Sequence, residues 1–139
     1  MSKSTSLSDF FTRSNANQGI ELPLYLPDGS KSEHWLRIVG VDSDLFRHQE
    51  LIEKRGVLAY RGKPQAEVDA AAAESRLRLL AAIITEWSFP EECSQENKVK
   101  LLREAPQIAE AINTHSADRT LFFANASKNS ADSQKPTSD

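Results

Sequence analysis

Cysteine occurs once in this chain, at position 93, so no internal disulfide and no Cys-rich zinc site can be built from it. A reducing compartment suits such a chain. Glycine is scarce as well, five residues in 139, and the sequence contains neither a glycine-rich dinucleotide fingerprint nor a G-x-S-x-G nucleophile elbow. The nearest approach to a phosphate loop, Gly56-Val57-Leu58-Ala59-Tyr60-Arg61-Gly62-Lys63-Pro64, fails on two counts. Five residues separate its glycines where the motif needs four, and Pro64 stands where the magnesium-binding hydroxyl belongs. Long apolar runs are also missing. The most apolar stretch, residues 77–84, is far shorter than a bilayer span, and Met1-Ser2-Lys3-Ser4-Thr5-Ser6 lacks the apolar segment of a secretory signal. The expectation is a protein with no membrane association that stays where it is made.

No charge of one sign dominates. A formal net charge of −3 provides no global attraction to nucleic acid or to an anionic membrane, so any basic patch must be local. His34, His48 and His115 are far apart, and His115 with Asp118 is the only helix-spaced pair that could share a metal; two ligands do not make a site. Cys93 follows Glu91 and Glu92, whose charges discourage a thiolate, and reads as a small packing residue. No catalytic, cofactor or metal residue is expected.

What is present suffices for one domain. Hydrophobic residues make up 39% and charged residues 27%, a modest core with polar ends. Residues 1–18 are rich in Ser, Thr and Asn and read as a flexible arm; Phe10 and Phe11 within it are either a staple packed on the domain or a short partner-docking segment. Residues 19–125 form the globular domain. Residues 126–139 carry no large apolar side chain and read as a disordered polar tail.

The fold class is mainly α with an N-terminal β-hairpin (α+β), in the order ββαααα. Ile20, Leu22, Leu24 and Leu26 alternate with polar positions as a half-buried strand, which Pro23 assigns to a sheet edge. Pro27-Asp28-Gly29-Ser30 supplies the turn, and residues 35–41 the second strand, so the hairpin occupies about 20–41. Helices fill about 43–125. Asp42-Ser43-Asp44 starts the first of them, with Leu45, Phe46, Ile52 and potentially Leu51 inward; Gly56 ends it unless residues 57–60 extend it. A long helix from about Pro64 to Ser88 follows, with Val68, Ala72, Leu79, Leu80, Ile83, Ile84 and Trp87 on its apolar face and a Glu74–Arg78 pair. Ser94 caps a short helix through Val99, Leu101 and Leu102 with Glu96 and Lys100 paired on its wet side, and Pro106 opens a last helix carrying Ile108, Ala109, Ile112 and, later, Leu121, Phe122 and Phe123.

Two groups of side chains are candidates for partner binding. The segment 47–63 holds five basic residues against Glu50 and Glu53, and Arg47, Lys54 and Arg61, seven apart, share a face if the helix continues through Gly56. That stripe suits phosphates or an acidic protein partner; no helix-turn-helix or RNA-binding signature accompanies it, so nucleic acid is the minority reading. Tyr25 and Trp35 lie on hairpin strands, where they either anchor a partner or an added strand or pack within the domain.

The strand pair ending in Trp35-Leu36-Arg37-Ile38-Val39-Gly40-Val41-Asp42-Ser43-Asp44 precedes an Ala-rich helix closing with Ile83-Ile84-Thr85-Glu86-Trp87-Ser88-Phe89. The phrases Glu96-Asn97-Lys98-Val99-Lys100-Leu101-Leu102-Arg103 and Ile108-Ala109-Glu110-Ala111-Ile112 follow, before Ala117-Asp118-Arg119. Over roughly residues 20–125 this order resembles the tail assembly chaperones of siphophages. The resemblance implies a non-catalytic helper, without cofactors, that binds and solubilises the tape measure protein and helps recruit tail tube subunits. It further implies homo-oligomers, association with a longer frameshifted form, action in the host bacterial cytoplasm and absence from the mature virion. The polar tail ending Lys135-Pro136-Thr137-Ser138-Asp139 fits a linker before such a frameshift junction.

Overall fold

A computed structural model describes residues 5–124; the tail at 126–139, expected to be disordered, lies outside them. The fold is mainly helical with one antiparallel sheet. Strands β1 (Ile20–Tyr25) and β2 (Lys31–Ile38) form the hairpin, with Leu22 opposite Leu36 and Pro23 opposite Trp35. Alternation puts Ile20, Leu22 and Leu24 into the core. Leu26, expected in the same row, instead enters the turn and is exposed, because its N–H bonds the Ser30 carbonyl at 2.8 Å and the chain reverses there. Asp28 holds the turn by accepting from the Ser30 N–H and hydroxyl at 2.9 and 2.6 Å, and Gly29 takes the left-handed φ of +91°.

A third strand, β3 (Ile84–Trp87), pairs antiparallel with β2, giving the order β1-β2-β3. This corrects the expected helix to Ser88: the long helix stops at Ala82. The β-branched run Ile83-Ile84-Thr85 suits a strand, and the free side of β2 offered backbone partners for it. A register shift at Arg37/Ile38 lets both Ile84 and Trp87 turn inward while Thr85 and Glu86 stay exposed. The hairpin is thus the outer part of a three-stranded sheet, with Pro23 on its edge strand and Trp35 on its central one.

Among the described residues five α-helices accompany this sheet, α1 (Arg13–Gln18), α2 (Asp44–Val57), α3 (Gln65–Ala82), α4 (Gln95–Glu104) and α5 (Pro106–Ser116), with a further helical turn at 119–124. Ser43 and Ser94 cap α2 and α4, their hydroxyls accepting from the Phe46 and Asn97 N–H groups. Pro106 stands at the first position of α5, where its missing N–H costs nothing. Leu22, Leu36, Ile38, Ile83, Ile84, Leu102 and Ile112 meet in the core, each worth about 1.5–3 kcal/mol when fully buried. Leu121, Phe122 and Phe123, expected on the last helix, lie on the separate turn beyond its end at Ser116; Phe122 is buried, and Leu121 and Phe123 face outward.

Within the segment expected to be mobile alone, residues 13–18 are helical and Ala16 is buried. The Gly40 N–H bonds the Ala16 carbonyl at 3.1 Å, and a side chain at Gly40 would meet Ala16 and Phe122 at 3.2 Å, so glycine permits the close approach. Asp42 ties the helical turn at 119–124 to the same corner through two bonds from Arg119, at 2.5 and 2.9 Å. The expected Glu74–Arg78 pair does not form. Arg78 binds Glu53 and Glu74 binds Arg103, each choosing a partner on a neighbouring helix over one on its own.

Candidate partner-binding surfaces

Helix α2 packs against α3 with its polar side. Phe46, Gln49, Glu50 and Glu53 face the body of the protein, and Glu53 is buried. Its carboxylate accepts from Arg78 Nη2 at 2.8 Å, from Arg78 Nε at 3.1 Å and from Gln49 Nε2 at 2.7 Å. The Arg78 guanidinium holds the Glu53 carboxyl below its ordinary range. Leu45, Ile52 and Leu51, expected inward, are instead exposed, 47%, 45% and 54%, and Leu58 beyond the helix end is 61% exposed. At 100° per residue Leu45 lies over Ile52 and Leu51 over Leu58, two rows open to solvent. The core-directed reading failed because apolar spacing defines a stripe without saying which neighbour covers it. The signal that could have reversed it was Gln49 and Glu53, four apart on the opposite side.

The basic candidates fall on or near this helix. Arg47 contacts Asp42 and Glu50 at 3.4 and 3.6 Å, and Lys54 reaches the same Glu50 at 3.9 Å. The helix does pass through Gly56, but it ends at Val57; a 3-10 turn at Leu58–Tyr60 follows and Arg61 is extended. Arg61 therefore leaves the stripe that Arg47 and Lys54 share, and no continuous three-residue row exists. Among the described residues no carboxylate lies within ion-pair distance of Arg55, Arg61 or Lys63.

Tyr25 and Trp35 lie on the sheet. Alternation along β1 sends Glu21, Pro23 and Tyr25 away from the core, and Trp35, half-buried opposite Pro23, shares that outer side. A groove of about 500 Å³ runs along the β1 edge, lined by Leu22, Pro23, Tyr25, His115, Leu121 and others. A second, of about 310 Å³, lies between β3 and α4, lined by Trp87, Phe89, Asn97, Lys100 and Leu101. Trp87, expected within the core, is only partly covered; its Nε1–H bonds the Glu91 carbonyl at 2.8 Å and its ring meets Phe89 edge-on. At the N-terminal end Leu7, Phe10 and Phe11 are all exposed, so the aromatic pair is not packed as a staple.

The titratable groups are dispersed. His34 shares a hydrogen bond with the Ser88 hydroxyl at 3.0 Å and stacks on Phe89; His115 Nδ1 lies 2.7 Å from the Ala111 carbonyl one turn earlier. Burial pushes the Cys93 thiol up, away from the thiolate, and pushes the Lys98 amine down. Lys98 donates to the Ile84 carbonyl at 2.8 Å, fastening α4 to β3. Among the described residues no three His, Cys, Asp or Glu side chains are placed to hold a metal ion, and no helix is long and apolar enough to cross a membrane. No family of known proteins, no curated protein and no solved structure matches this chain.

Proposed function

We propose that this chain is a non-catalytic assembly chaperone of a long-tailed phage, acting in the host bacterial cytoplasm on the tape measure protein. The observation that carries the reading is the two outward rows, Leu45 with Ile52 and Leu51 with Leu58. Exposed leucines on a helix whose polar side is buried are groups available to cover the apolar stripe of another chain. A long helical client needs such cover before it finds its place in an assembly. The tape measure client and the tail tube subunits come into this reading from the sequence resemblance to siphophage tail assembly chaperones, which is one of short phrases and element order. Self-association and pairing with a longer frameshifted form belong to the same reading.

Co-expression with the neighbouring reading frames, affinity capture at moderate and high salt, and mass determination of the bound material test it. Retention of a very long helical protein supports the chaperone. A second reading, nucleic-acid binding, is favoured by Arg55, Arg61 and Lys63, which have no carboxylate partner among the described residues; capture of nucleic acid that washes off with salt, and of no protein, would establish it instead.

A further inference from the structure

We infer that the exposed face of α2 is the docking site for an amphipathic helix of another protein whose apolar stripe is bordered by carboxylates. The inference rests on the protein-binding function proposed above and names its surface and the chemistry of the partner. Two observations converge on it.

The first is orientation. Rolling α2 by about a quarter of a turn would bury Leu45 and Ile52, the ordinary outcome for an amphipathic helix, but would draw Glu53 away from Arg78 and Gln49. Buried Glu53 with its three donor contacts fixes the roll, and the leucines are held outward by it. From Leu45 to Leu58 the open rows run about 20 Å, matching four turns of a partner helix.

The second is charge. Arg47 and Lys54 flank the Leu51–Leu58 row and Arg55 lies between the two rows; all three are exposed, whereas the carboxylates of the same helix are engaged: Glu53 is buried, Glu50 is half-buried between Arg47 and Lys54, and Asp44 is bound to Arg13. A second copy laying its own α2 on this face would set like charges against one another. An acid-bordered helix would find complementary ones, with Arg55, which has no ion pair among the described residues, placed to receive it.

The test uses the full chain and two synthetic amphipathic helices of about 21 residues, three heptads, with identical leucine stripes bordered by Glu in one and by Lys in the other. Wild type is expected to bind the Glu-bordered helix at least about tenfold more tightly at low salt, with the gap narrowing as salt rises. Leu51→Asp with Ile52→Asp should abolish binding, and Lys54→Glu with Arg55→Glu, which leaves the apolar rows intact, should reverse the preference. Equal binding of both helices, no binding of either, or binding indifferent to these exposed substitutions overturns the inference. So does displacement of the helix by short duplex DNA. A wild-type dimer that Leu51→Asp dissolves and the helix cannot displace would assign the face to a second copy and overturn it too. Retention of a long helical client by the Leu51→Asp, Ile52→Asp chain removes the α2 assignment alone; helix binding as predicted, with no protein client captured, removes the chaperone function alone.

Discussion

Glu53 of α2 and Arg78 of α3 are joined by contacts of 2.8 Å through Nη2 and 3.1 Å through Nε, and this pair sets which side of α2 meets the protein. A buried carboxylate without its guanidinium is costly, so the helix cannot roll without losing the pair. The leucines of α2 remain in water as a consequence, and the surface assigned to a partner is a product of internal electrostatics.

Glu53→Gln should lower stability by about 1–2 kcal/mol, and a double-mutant cycle with Arg78→Met should return a coupling of similar size. Arg78 is nearly half exposed, and solvent screening keeps the figure below the ~3–5 kcal/mol of a fully buried broken pair. Chemical denaturation of the four proteins measures it; a coupling near zero would show that the roll of α2 has another cause.

Asp42 provides a pH signature. The two hydrogen bonds from Arg119, aided by Thr12 and the charge of Arg47, lower its carboxyl to about 2, against roughly 3.9 in an unfolded chain. The folded pKa is depressed, so the stabilisation is complete above the unfolded value and is lost as pH falls from about 4 toward 2, where the unfolded chain takes up the proton first. The Tm advantage of wild type over Asp42→Asn should be largest at neutral pH and shrink through that window. A difference independent of pH would remove the ionic account of this corner.

Glycine substitutions separate close packing from turn geometry. Gly19 has a φ of +79°, and a Cβ there would lie 2.6 Å from the Ile38 carbonyl oxygen; Gly29 has a φ of +91° with nothing within 4 Å. Gly19→Ala should cost roughly 2–5 kcal/mol, the left-handed penalty plus a clash with backbone, and Gly29→Ala only about 1–2 kcal/mol. Thermal melts of both variants check the order.

The tryptophans divide by face. Trp87→Ala removes an inward but partly covered ring with its bond to the Glu91 carbonyl and should cost about 2–3 kcal/mol, less than the ~3–5 of a fully buried aromatic. Trp35→Ala, on the outer side of the sheet, should leave a cooperative transition and, if that side also contacts a partner, weaken binding; a collapsed transition would make Trp35 a core residue.

Where local chemistry decides, the fold was legible. Period-two alternation and Pro27-Asp28-Gly29-Ser30 marked the hairpin, and Ser43, Ser94 and Pro106 marked helix starts. Where a distant partner decides, it was not. Ile83, Ile84 and Trp87 have a spacing that fits a helix as well as a bulged strand, and only the free side of β2 selects the strand. Nothing local to α2 marks Glu53 as one half of a buried pair, because its partner lies 25 residues away. Of the surface candidates, Arg47 and Lys54 share α2 as their spacing suggested, while Arg61 is separated from them by the helix end at Val57.

The measurement closest to the central claim is the solubility of the long helical client that the proposed function assigns to this chain, produced alone and with increasing amounts of the chain. A chaperone keeps it in solution in proportion to the chain supplied, and the Leu51→Asp, Ile52→Asp chain does not. A client equally soluble, or equally insoluble, with and without the chain would contradict the account.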